Sequence, residues 1–381
     1  MQNIDLIATA TFGVESIVAQ ELKNLGYKEL KISNGKVEFR GEIKDICKTN
    51  LWLRCADRVL LKVAEFKAVT FDELFDYTKS ICWGDIIPKD AKFPVAKISS
   101  VNSRLFSKSD CQAIVKKAIV ESLKNFYGIS ALDETGDEYS IKIELLNDMA
   151  TLSIDTSGSA LHKRGYRAYG NQAPIKETLA AALIKLAKWK EDSVLIDPFC
   201  GTGTILIEAA MIAKNIAPGI NRHFISENWS IISKNFWTDA KNEATEMKKD
   251  IPELKIYGSD IDEKVLKIAR QNIKLAGLEN CIFIQKLPVK EIASRFKYGS
   301  IISNPPYGER SFEKKEVEKL YREMGKIFTA GFDTWSYYII TANTDFEKLF
   351  GRKANKNRKL YNGGIKCYFY QYYGPKLIHK Q

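Results

Sequence analysis

Along the first 155 residues the hydrophobic positions follow two periodicities, one typical of strands and one typical of helices. Helical spacing is clearest where Val14, Ile17, Val18 and Leu22 are apolar, and Gly26 follows as a helix-ending glycine would. The same spacing predicts helices over residues 43–53, 71–80 and 109–119. Alternating or short apolar runs predict strands over residues 4–9, 36–40, 59–66, 93–98, 139–146 and 149–155, the last two joined by a turn at 147–148.

One strand-to-helix turn dominates the second half of the chain. Apolar residues 194–196 lead to Asp197, two glycines follow in G-x-G spacing as Gly201 and Gly203, and residues 205–211 continue as an apolar helix. A buried strand that leads through a glycine-rich turn into a helix is typical of nucleotide sites in open α/β sheets. Further strands are predicted over residues 254–262, 282–285, 300–303 and 335–341, followed by a hairpin that turns at Asn362-Gly363.

Composition narrows the class of protein. The chain has 381 residues and a net charge of +11, which favours a polyanionic partner, although a lysine-rich protein without such a partner has the same balance. Its seven cysteines are scattered and lack C-x-x-C spacing, which argues against a disulfide framework and against a structural zinc site. No apolar run is long enough to cross a bilayer, and the first residues lack a secretory pattern. We therefore predict a cytoplasmic protein that binds neither a membrane nor a metal.

A stretch rich in cations and aromatic rings precedes the glycine-rich turn. Residues 161–169 place Lys163, Arg164 and Arg167 among tyrosines, a composition that suits contacts with phosphates and bases. A surface loop pinned to the protein by its tyrosines has the same composition. We predict that these three cations, together with Arg310, hold the phosphates of a nucleic acid.

The loop after the strand at 300–303 carries a specific chemistry. In Asn304-Pro305-Pro306-Tyr307 the two prolines remove backbone donors and stiffen the chain. The Asn304 side-chain oxygen and the Pro305 carbonyl can then both accept hydrogen bonds from one exocyclic amine, and the Tyr307 ring can stack on a flat base. Because the lone pair of an aryl amine is delocalised into its ring, two acceptors on the N–H groups free that lone pair for attack. The alternative is a strand-ending turn without chemistry.

A second carboxylate is predicted at the end of the strand over residues 254–262. Asp260 can accept hydrogen bonds from both hydroxyls of a ribose. It follows the glycine-rich turn by about 60 residues, whereas roughly 20 are usual in dinucleotide folds. Asp262 is the alternative residue for the ribose contact, but its position is more typical of a helix cap.

Two motifs, residues 197–204 and 304–307, together resemble the class I S-adenosylmethionine-dependent N-methyltransferases. Residues 162–167, 174–182 and 304–310 are similar to the THUMP-domain RNA guanine-N2 methyltransferases, notably to the N-terminal half of bacterial enzymes that act on large-subunit ribosomal RNA. The resemblance implies an α/β fold: a Rossmann-like domain with a mostly parallel seven-stranded sheet and an antiparallel edge hairpin, preceded by a ferredoxin-like plus THUMP module. We place the ferredoxin-like unit at residues 1–60, the THUMP domain at 61–156 and the methyltransferase domain at 160–381.

The resemblance also implies which residues form the site. S-adenosylmethionine is expected to contact Thr178, Asp197, Phe199, Gly201, Gly203, Asp260 and Ile261. The catalytic loop is expected to be Asn304, Pro305, Pro306 and Tyr307. The sequence departs from the family after the third strand, where Leu287 stands in place of the usual aspartate near the adenine amine. A weaker adenine contact is therefore expected.

The activity expected from these motifs is methyl transfer from S-adenosylmethionine to the exocyclic N2 of a guanine in RNA, most simply 23S ribosomal RNA. The same chemistry on transfer RNA is one alternative. Methylation of adenine N6 in DNA is permitted by the amine loop but disfavoured by the N-terminal module, and an RNA-binding protein without catalysis is a further alternative. A nicotinamide oxidoreductase is disfavoured because Thr204, Ile205 and Leu206 follow Gly203, so that G-x-G-x-x-G is missing.

Overall fold

The computed structural model describes residues 3–167, 175–308 and 311–375, apart from the side chains of residues 311–313. Within these residues the chain forms two seven-stranded sheets, one built from strands between residues 4 and 155 and one from strands between residues 195 and 372. None of the helices in this part of the chain is long and apolar enough to span a membrane. The predicted fold class, a Rossmann-like α/β domain behind an α/β module, is confirmed.

The N-terminal module contains one sheet and four α-helices. Its strands are β1 (Ile4–Ala10), β2 (Leu30–Ser33), β3 (Lys36–Gly41), β4 (Ala56–Lys67), β5 (Val95–Val101), β6 (Ile141–Leu146) and β7 (Met149–Asp155). Its helices are α1 (Glu15–Asn24), α2 (Asp45–Trp52), α3 (Phe71–Ser80) and α4 (Lys108–Tyr127). The strand order is β2-β3-β1-β4-β7-β6-β5, and all neighbours are antiparallel except β5 and β6.

Strand β4 connects the two halves of this sheet. It is 12 residues long and pairs with β1 on one side and with β7 on the other. The predicted division between residues 60 and 61 falls inside β4, so the two N-terminal units share a strand, and the division stays a proposal. The predicted turn between β6 and β7 is present, and Asn147 and Asp148 both have positive φ (52° and 63°), as a two-residue hairpin turn requires.

The second sheet lies in the C-terminal domain. Its strands are β8 (Leu195–Asp197), β9 (Ile256–Asp260), β10 (Ile282–Lys286), β11 (Ser300–Ser303), β12 (Ser336–Thr341), β13 (Lys356–Asn362) and β14 (Ile365–Tyr372). The helices are α5 (Glu177–Ala187), α6 (Thr204–Ala213), α7 (Lys234–Glu246), α8 (Glu263–Leu275), α9 (Ser311–Gly331) and α10 (Phe346–Phe350). The strand order is β10-β9-β8-β11-β12-β14-β13, parallel from β10 to β12 and antiparallel in the edge hairpin.

The order of the parallel strands fixes where a site can form. From β8 the chain proceeds outward to β9 and β10, and then returns to the other side of β8 as β11. A crevice opens at the carboxyl ends of the strands where the direction of winding reverses. The central strands are apolar on both faces, as in Ile301, Ile302, Ile339 and Ile340, because helices cover both sides of a parallel sheet. The polar residues that end β8, β9 and β11 therefore meet at one edge.

The connection between α6 and β9 differs from the sequence prediction. The hydrophobic pattern predicts no helix or strand there, but the connection includes helix α7, whose buried positions are Trp237 and Ala244. Trp229 stacks on Tyr139 of the N-terminal module with ring centroids 4.5 Å apart, and its Nε1 donates to the Glu138 carbonyl at 3.0 Å. The connection thus packs the C-terminal domain against the N-terminal module.

Candidate active site

A buried carboxylate holds the glycine-rich turn after β8. Asp197 is 1% exposed, and its Oδ1 accepts hydrogen bonds from the Ser303 hydroxyl and from the Phe199 backbone N–H (3.1 Å). Since Ser303 ends the neighbouring strand β11, this contact ties together the ends of two central strands. Gly201 and Gly203 both have positive φ (53° and 82°), which glycine adopts without strain, so the turn depends on the G-x-G spacing.

The burial of Asp197 has a consequence for stability. Burial raises the pKa of Asp197 to about 7, against the lowering effect of the hydrogen bonds from Ser303 and Phe199. A carboxyl whose pKa is higher in the folded chain binds its proton more tightly there, so stability falls as pH rises from about 4 to about 7. We expect Asp197→Asn to abolish the decrease in the free energy of unfolding that comes from Asp197. That decrease is about 1.4 kcal/mol for each unit by which the pKa in the folded chain exceeds the pKa in the unfolded chain.

Denaturant unfolding at about pH 4 and about pH 7 measures this effect. The free energy of unfolding of the variant should fall less between the two pH values than that of the natural chain. Part of the fall should persist in both, because burial also raises the pKa of Glu177 to about 7. An identical fall in the two proteins would contradict the expectation.

The end of strand β9 presents a second carboxylate. Asp260 Oδ2 accepts a hydrogen bond from the Gly201 backbone N–H (3.0 Å), and Oδ1 accepts one from the Asp262 backbone N–H (3.0 Å). Asp262 Oδ1 accepts from the Lys264 N–H (2.8 Å) and so caps helix α8, the alternative role weighed for it from the sequence. Between the two carboxylates, Ile261 is 68% exposed, which is unusual for a large apolar side chain at the edge of a cavity.

The loop after β11 brings Asn304 and Tyr307 into contact. The Tyr307 hydroxyl donates to Asn304 Oδ1 at 2.7 Å, and Asn362 Nδ2 lies 3.4 Å from the same hydroxyl. Burial raises the pKa of Tyr307, so its hydroxyl keeps the proton that it donates. An amide oxygen has two lone pairs, so Asn304 Oδ1 retains one for a substrate donor. The Pro306 carbonyl accepts from the Tyr321 hydroxyl (2.6 Å), which anchors the loop to helix α9.

A single cavity of about 750 Å³ is lined by both groups of predicted residues. From the predicted cofactor set it includes Phe199, Gly201, Asp260 and Ile261. From the predicted amine loop it includes Asn304, Pro305, Pro306 and Tyr307. The strand ends thus bring the Asp260 carboxylate, the exposed Ile261 side chain and the Asn304–Tyr307 loop to one space. Such a cavity can hold a nucleoside-type cofactor beside an aromatic amine.

Three family models match this chain. One described as "RlmL ferredoxin-like domain" matches residues 5–60, and one described as "THUMP domain" matches residues 68–155. One described as "RMKL-like, methyltransferase domain" matches residues 164–371, more than half of the chain. The chain belongs to the RMKL-like methyltransferase family. The resemblance drawn from the sequence motifs is therefore confirmed.

Curated relatives extend along the whole chain. "Putative RNA methyltransferase YpsC" of Bacillus subtilis (strain 168) is 52% identical over 375 residues, covering 98% of this chain and 97% of the relative. A "Ribosomal RNA large subunit methyltransferase K/L" of Syntrophotalea carbinolica is 33% identical over 385 residues, covering 96% of this chain and 53% of the relative. The chain therefore spans about half the length of the K/L relatives that it matches.

Three solved structures share the fold of nearly the whole chain. The structure of "a possible methylase" from Clostridium difficile 630 is 50% identical with a TM-score of 0.96, covering 98% of this chain and 99% of that one. SMU.472, "a putative methyltransferase complexed with SAH", is 45% identical with a TM-score of 0.93, covering 99% and 100%. A "predicted N6-adenine-specific DNA methylase" from Listeria monocytogenes str. 4b F2365 is 49% identical with a TM-score of 0.93, covering 98% and 97%.

Three residues predicted to contact the cofactor lie outside the lining of the cavity. Asp197 lies beneath the turn, with the partners given above. Thr178 is buried, and its hydroxyl is 3.4 Å from Asp57 Oδ1 of the N-terminal module. Gly203 is the N-cap residue before helix α6, and a Cβ there would lie 3.5 Å from the Ala269 Cβ of helix α8. In the structure these residues shape the turn and its packing.

The predicted RNA-binding cations separate into different environments. Lys163 is exposed. Arg164 is only 3% exposed, and its guanidinium donates to the carbonyls of Leu161 (2.6 Å) and Arg54 beside Glu208. The prediction that Arg164 holds an RNA phosphate is therefore wrong, because its donors are engaged inside the protein.

Arg167 is half-buried and also engaged within the methyltransferase domain. Its Nε lies 2.8 Å from Glu177 Oε1, and its Nη2 donates to the Ile175 carbonyl (2.7 Å) and lies 3.2 Å from Thr204 Oγ1. These contacts hold the start of helix α5 against the start of helix α6. Arg310, the fourth predicted cation, lies outside the described residues.

Sequence reasoning missed part of the cavity wall. The additional residues come from the loop after β10, from helix α9 and from the two ends of the β13–β14 turn, and they include 288–290, Leu320, Glu323, Asn362 and Ile365. The loop after β10 could have been expected, because every loop at the carboxyl ends of parallel strands borders the same crevice. The others required the three-dimensional packing. The β13–β14 turn itself lies at Gly363-Gly364, one residue later than predicted, since Asn362 pairs with Ile365.

Leu287 is held to the end of strand β9 by its backbone. The Leu287 backbone N–H donates to the Asp260 carbonyl at 3.1 Å, and its side chain does not line the cavity. The next three residues, 288–290, line it instead. Among the residues that the structure describes, no group of three or more histidine, cysteine, aspartate or glutamate side chains could hold a metal ion.

Proposed function

We propose that this protein transfers a methyl group from S-adenosylmethionine to the exocyclic N2 of a guanine in RNA, with 23S ribosomal RNA as the substrate. The observation that carries the proposal is the shared cavity, in which Asp260 and Ile261 lie on one wall and the Asn304–Tyr307 loop on another. A cofactor site and an amine site must adjoin for direct transfer between them.

The residues of the cavity suit S-adenosylmethionine. Asp260 keeps unused lone pairs on both carboxylate oxygens, which can accept hydrogen bonds from ribose hydroxyls. The exposed Ile261 side chain offers an apolar surface for a purine. Gly201 has open space where a side chain would stand, so the backbone can approach the cofactor closely. When bound, the cofactor supplies a methyl group on a positively charged sulfur.

The amine loop acts by positioning and by polarisation. The free lone pair of Asn304 Oδ1 and the Pro305 carbonyl accept the two N–H groups of the guanine amine, which favours a tetrahedral nitrogen with an available lone pair. Tyr307 fixes the orientation of the Asn304 amide through its hydroxyl. The amine becomes acidic as it gains positive charge, so its surplus proton passes to water without a strong base.

Three findings support RNA as the substrate. The THUMP model matches residues 68–155, the net charge of +11 suits a polyanion, and the relatives are named as RNA and ribosomal RNA methyltransferases. The K/L relatives are about twice as long as the matched region, so their full activity is carried over to this chain only as a proposal.

Mass spectrometry of nucleosides tests the proposal. Ribosomal RNA, transfer RNA and DNA from cells with and without the gene are digested, and N2-methylguanosine should be lost from large-subunit ribosomal RNA alone. Purified protein should restore it in RNA from the deleted cells. Loss from transfer RNA would reassign the substrate, and loss of N6-methyladenine from DNA would support the activity named for the Listeria structure instead. No change in any sample, with no transfer in vitro, would refute the proposal.

A pair of aspartate variants tests the cofactor wall. Asp260→Ala should weaken S-adenosylhomocysteine binding at least about tenfold, because ribose hydroxyls lose a charged acceptor. Asp262→Ala is the matched control: it should leave binding nearly unchanged and lower stability by about 0.5–2 kcal/mol through loss of the helix cap. Titration calorimetry and thermal unfolding measure the two effects. Unchanged binding in Asp260→Ala would move the ribose contact away from this residue.

A further inference from the structure

The amine side of the cavity contains a carboxylate that the proposed chemistry has not used. Glu323 lies on helix α9 and lines the same cavity as Asn304 and Pro305. Leu320, three residues earlier and on the same helical face, lines it as well. Both are therefore available to a base whose amine is held by the loop.

The position of Glu323 relative to the loop is fixed by a neighbouring tyrosine. Tyr321, two residues earlier, is fully buried and donates its hydroxyl proton to the Pro306 carbonyl at 2.6 Å. The same hydroxyl lies 2.8 Å from Thr341 Oγ1 at the end of strand β12. Helix α9 is thus held to the amine loop and to the sheet close to Glu323.

Glu323 differs from the other carboxylate of the cavity. The two oxygens of Asp260 already accept backbone hydrogen bonds from Gly201 and Asp262. Glu323 is half-buried, and within the described ranges its carboxylate takes part in no hydrogen bond or ion pair. An ionised carboxylate accepts hydrogen bonds but donates none, so its natural ligand is a group with N–H or O–H donors. It repels phosphates, and this part of the cavity therefore suits a base.

We propose that Glu323 selects guanine by accepting a hydrogen bond from its N1–H, next to the N2 amine held by Asn304 and Pro305. This inference rests on the proposed function. Guanine presents the N1–H and N2–H donors side by side, which matches a row of acceptors. Adenine presents an N6 amine beside an N1 lone pair, and that lone pair would face the carboxylate without a proton between them. Glu323 thus provides both an attraction for guanine and a repulsion for adenine.

The test uses one base analogue and one conservative variant. In an RNA fragment that the protein methylates, the target guanine is replaced by 2-aminopurine, which keeps the N2 amine but has a lone pair at N1. The natural protein should methylate the guanine fragment at least about 100-fold more efficiently, since a polar group left unpaired in a site penalises the analogue. In Glu323→Gln the side-chain amide can donate to that lone pair, so the preference should fall at least about tenfold. The analogue also lacks O6, but this affects both proteins equally.

A control variant distinguishes a loss of selectivity for guanine from a general loss of folding or cofactor binding. Glu316→Gln makes the same change at an exposed position of helix α9 and should keep the natural preference. Affinity for S-adenosylhomocysteine and the midpoint of thermal unfolding should be the same in all three proteins. If Glu323→Gln lowers cofactor affinity as much as it lowers methylation, the carboxylate serves the cofactor and the inference is wrong.

The remaining outcomes distinguish this inference from the proposed function. If the natural protein methylates guanine and Glu323→Gln keeps its preference, the inference alone fails. If the natural protein methylates adenine, or methylates no nucleic acid, the proposed function fails and the inference fails with it. The base that the natural protein methylates distinguishes these cases, and it is determined before any variant is compared.

Discussion

Replacing Asn304 by alanine is expected to lower turnover about 10²–10³-fold, the usual loss when one positioned group that stabilises a transition state is removed. In the proposed mechanism Asn304 supplies one of two acceptors for the amine, and in the structure the Tyr307 hydroxyl donates to its Oδ1 at 2.7 Å. Cofactor affinity should change little, because the proposed cofactor contacts, Asp260 and Ile261, lie at the end of a different strand. The variant should therefore bind S-adenosylhomocysteine normally and fail in transfer.

Single-turnover methylation and titration calorimetry measure the two quantities separately. Asn343→Ala is a matched control, since Asn343 also follows a parallel strand but its Oδ1 accepts from the Asp345 N–H (2.8 Å) and it does not line the cavity. Tyr307→Phe should give a smaller loss than Asn304→Ala, because it frees the Asn304 amide to rotate but leaves the acceptor present. Equal losses of turnover and cofactor affinity in Asn304→Ala would indicate a folding defect instead of a lost acceptor.

Much of the fold could be predicted because its signals are local. The turn at Gly201 and Gly203 needs positive φ at both positions, and only the G-x-G spacing provides it without strain. The strand ends at Asp197 and Asp260 follow buried apolar runs, so both the strands and their polar ends are visible in sequence. Helix α7 was missed because its surface is mostly polar and only two of its positions are buried. Those positions are buried by tertiary packing, which the sequence pattern does not display.

The candidate site was predictable where it depends on strand ends and unpredictable where it depends on packing between distant segments. Asp260 ends β9 and Asn304 follows β11, the two strands that flank β8 in one parallel sheet, and topology alone brings them to one edge. Glu323 reaches the cavity through the packing of helix α9, which Tyr321 bonds to the Pro306 carbonyl. Arg164 stands in a row of cations and tyrosines that resembles an RNA contact. Its burial depends on Glu208, 44 residues further along the chain.

Replacing Glu208 by alanine is expected to lower the free energy of unfolding by about 3–5 kcal/mol, the cost of leaving one partner of a buried ion pair without its counter-charge. Glu208 is 0% exposed, and its Oε1 lies 3.4 Å from Arg164 Nε and 3.0 Å from the Tyr166 hydroxyl. The Arg164 guanidinium also donates to the Arg54 carbonyl, so the pair lies where the C-terminal domain meets the N-terminal module. Loss of the charge should therefore weaken the contact between the two.

Denaturant unfolding measures this loss of stability. Three further variants show how much of the loss comes from the missing charge and how much from the missing hydrogen-bond acceptor. Lys163→Ala, at the exposed neighbouring position, should leave stability nearly unchanged. Glu208→Gln keeps an acceptor and should cost less than alanine. The double variant Arg164→Met with Glu208→Leu removes both charges and should recover most of the lost stability, because the desolvation penalty disappears with the pair. If Glu208→Ala had the same free energy of unfolding as the natural chain, the buried ion pair would not stabilise the contact between the C-terminal domain and the N-terminal module.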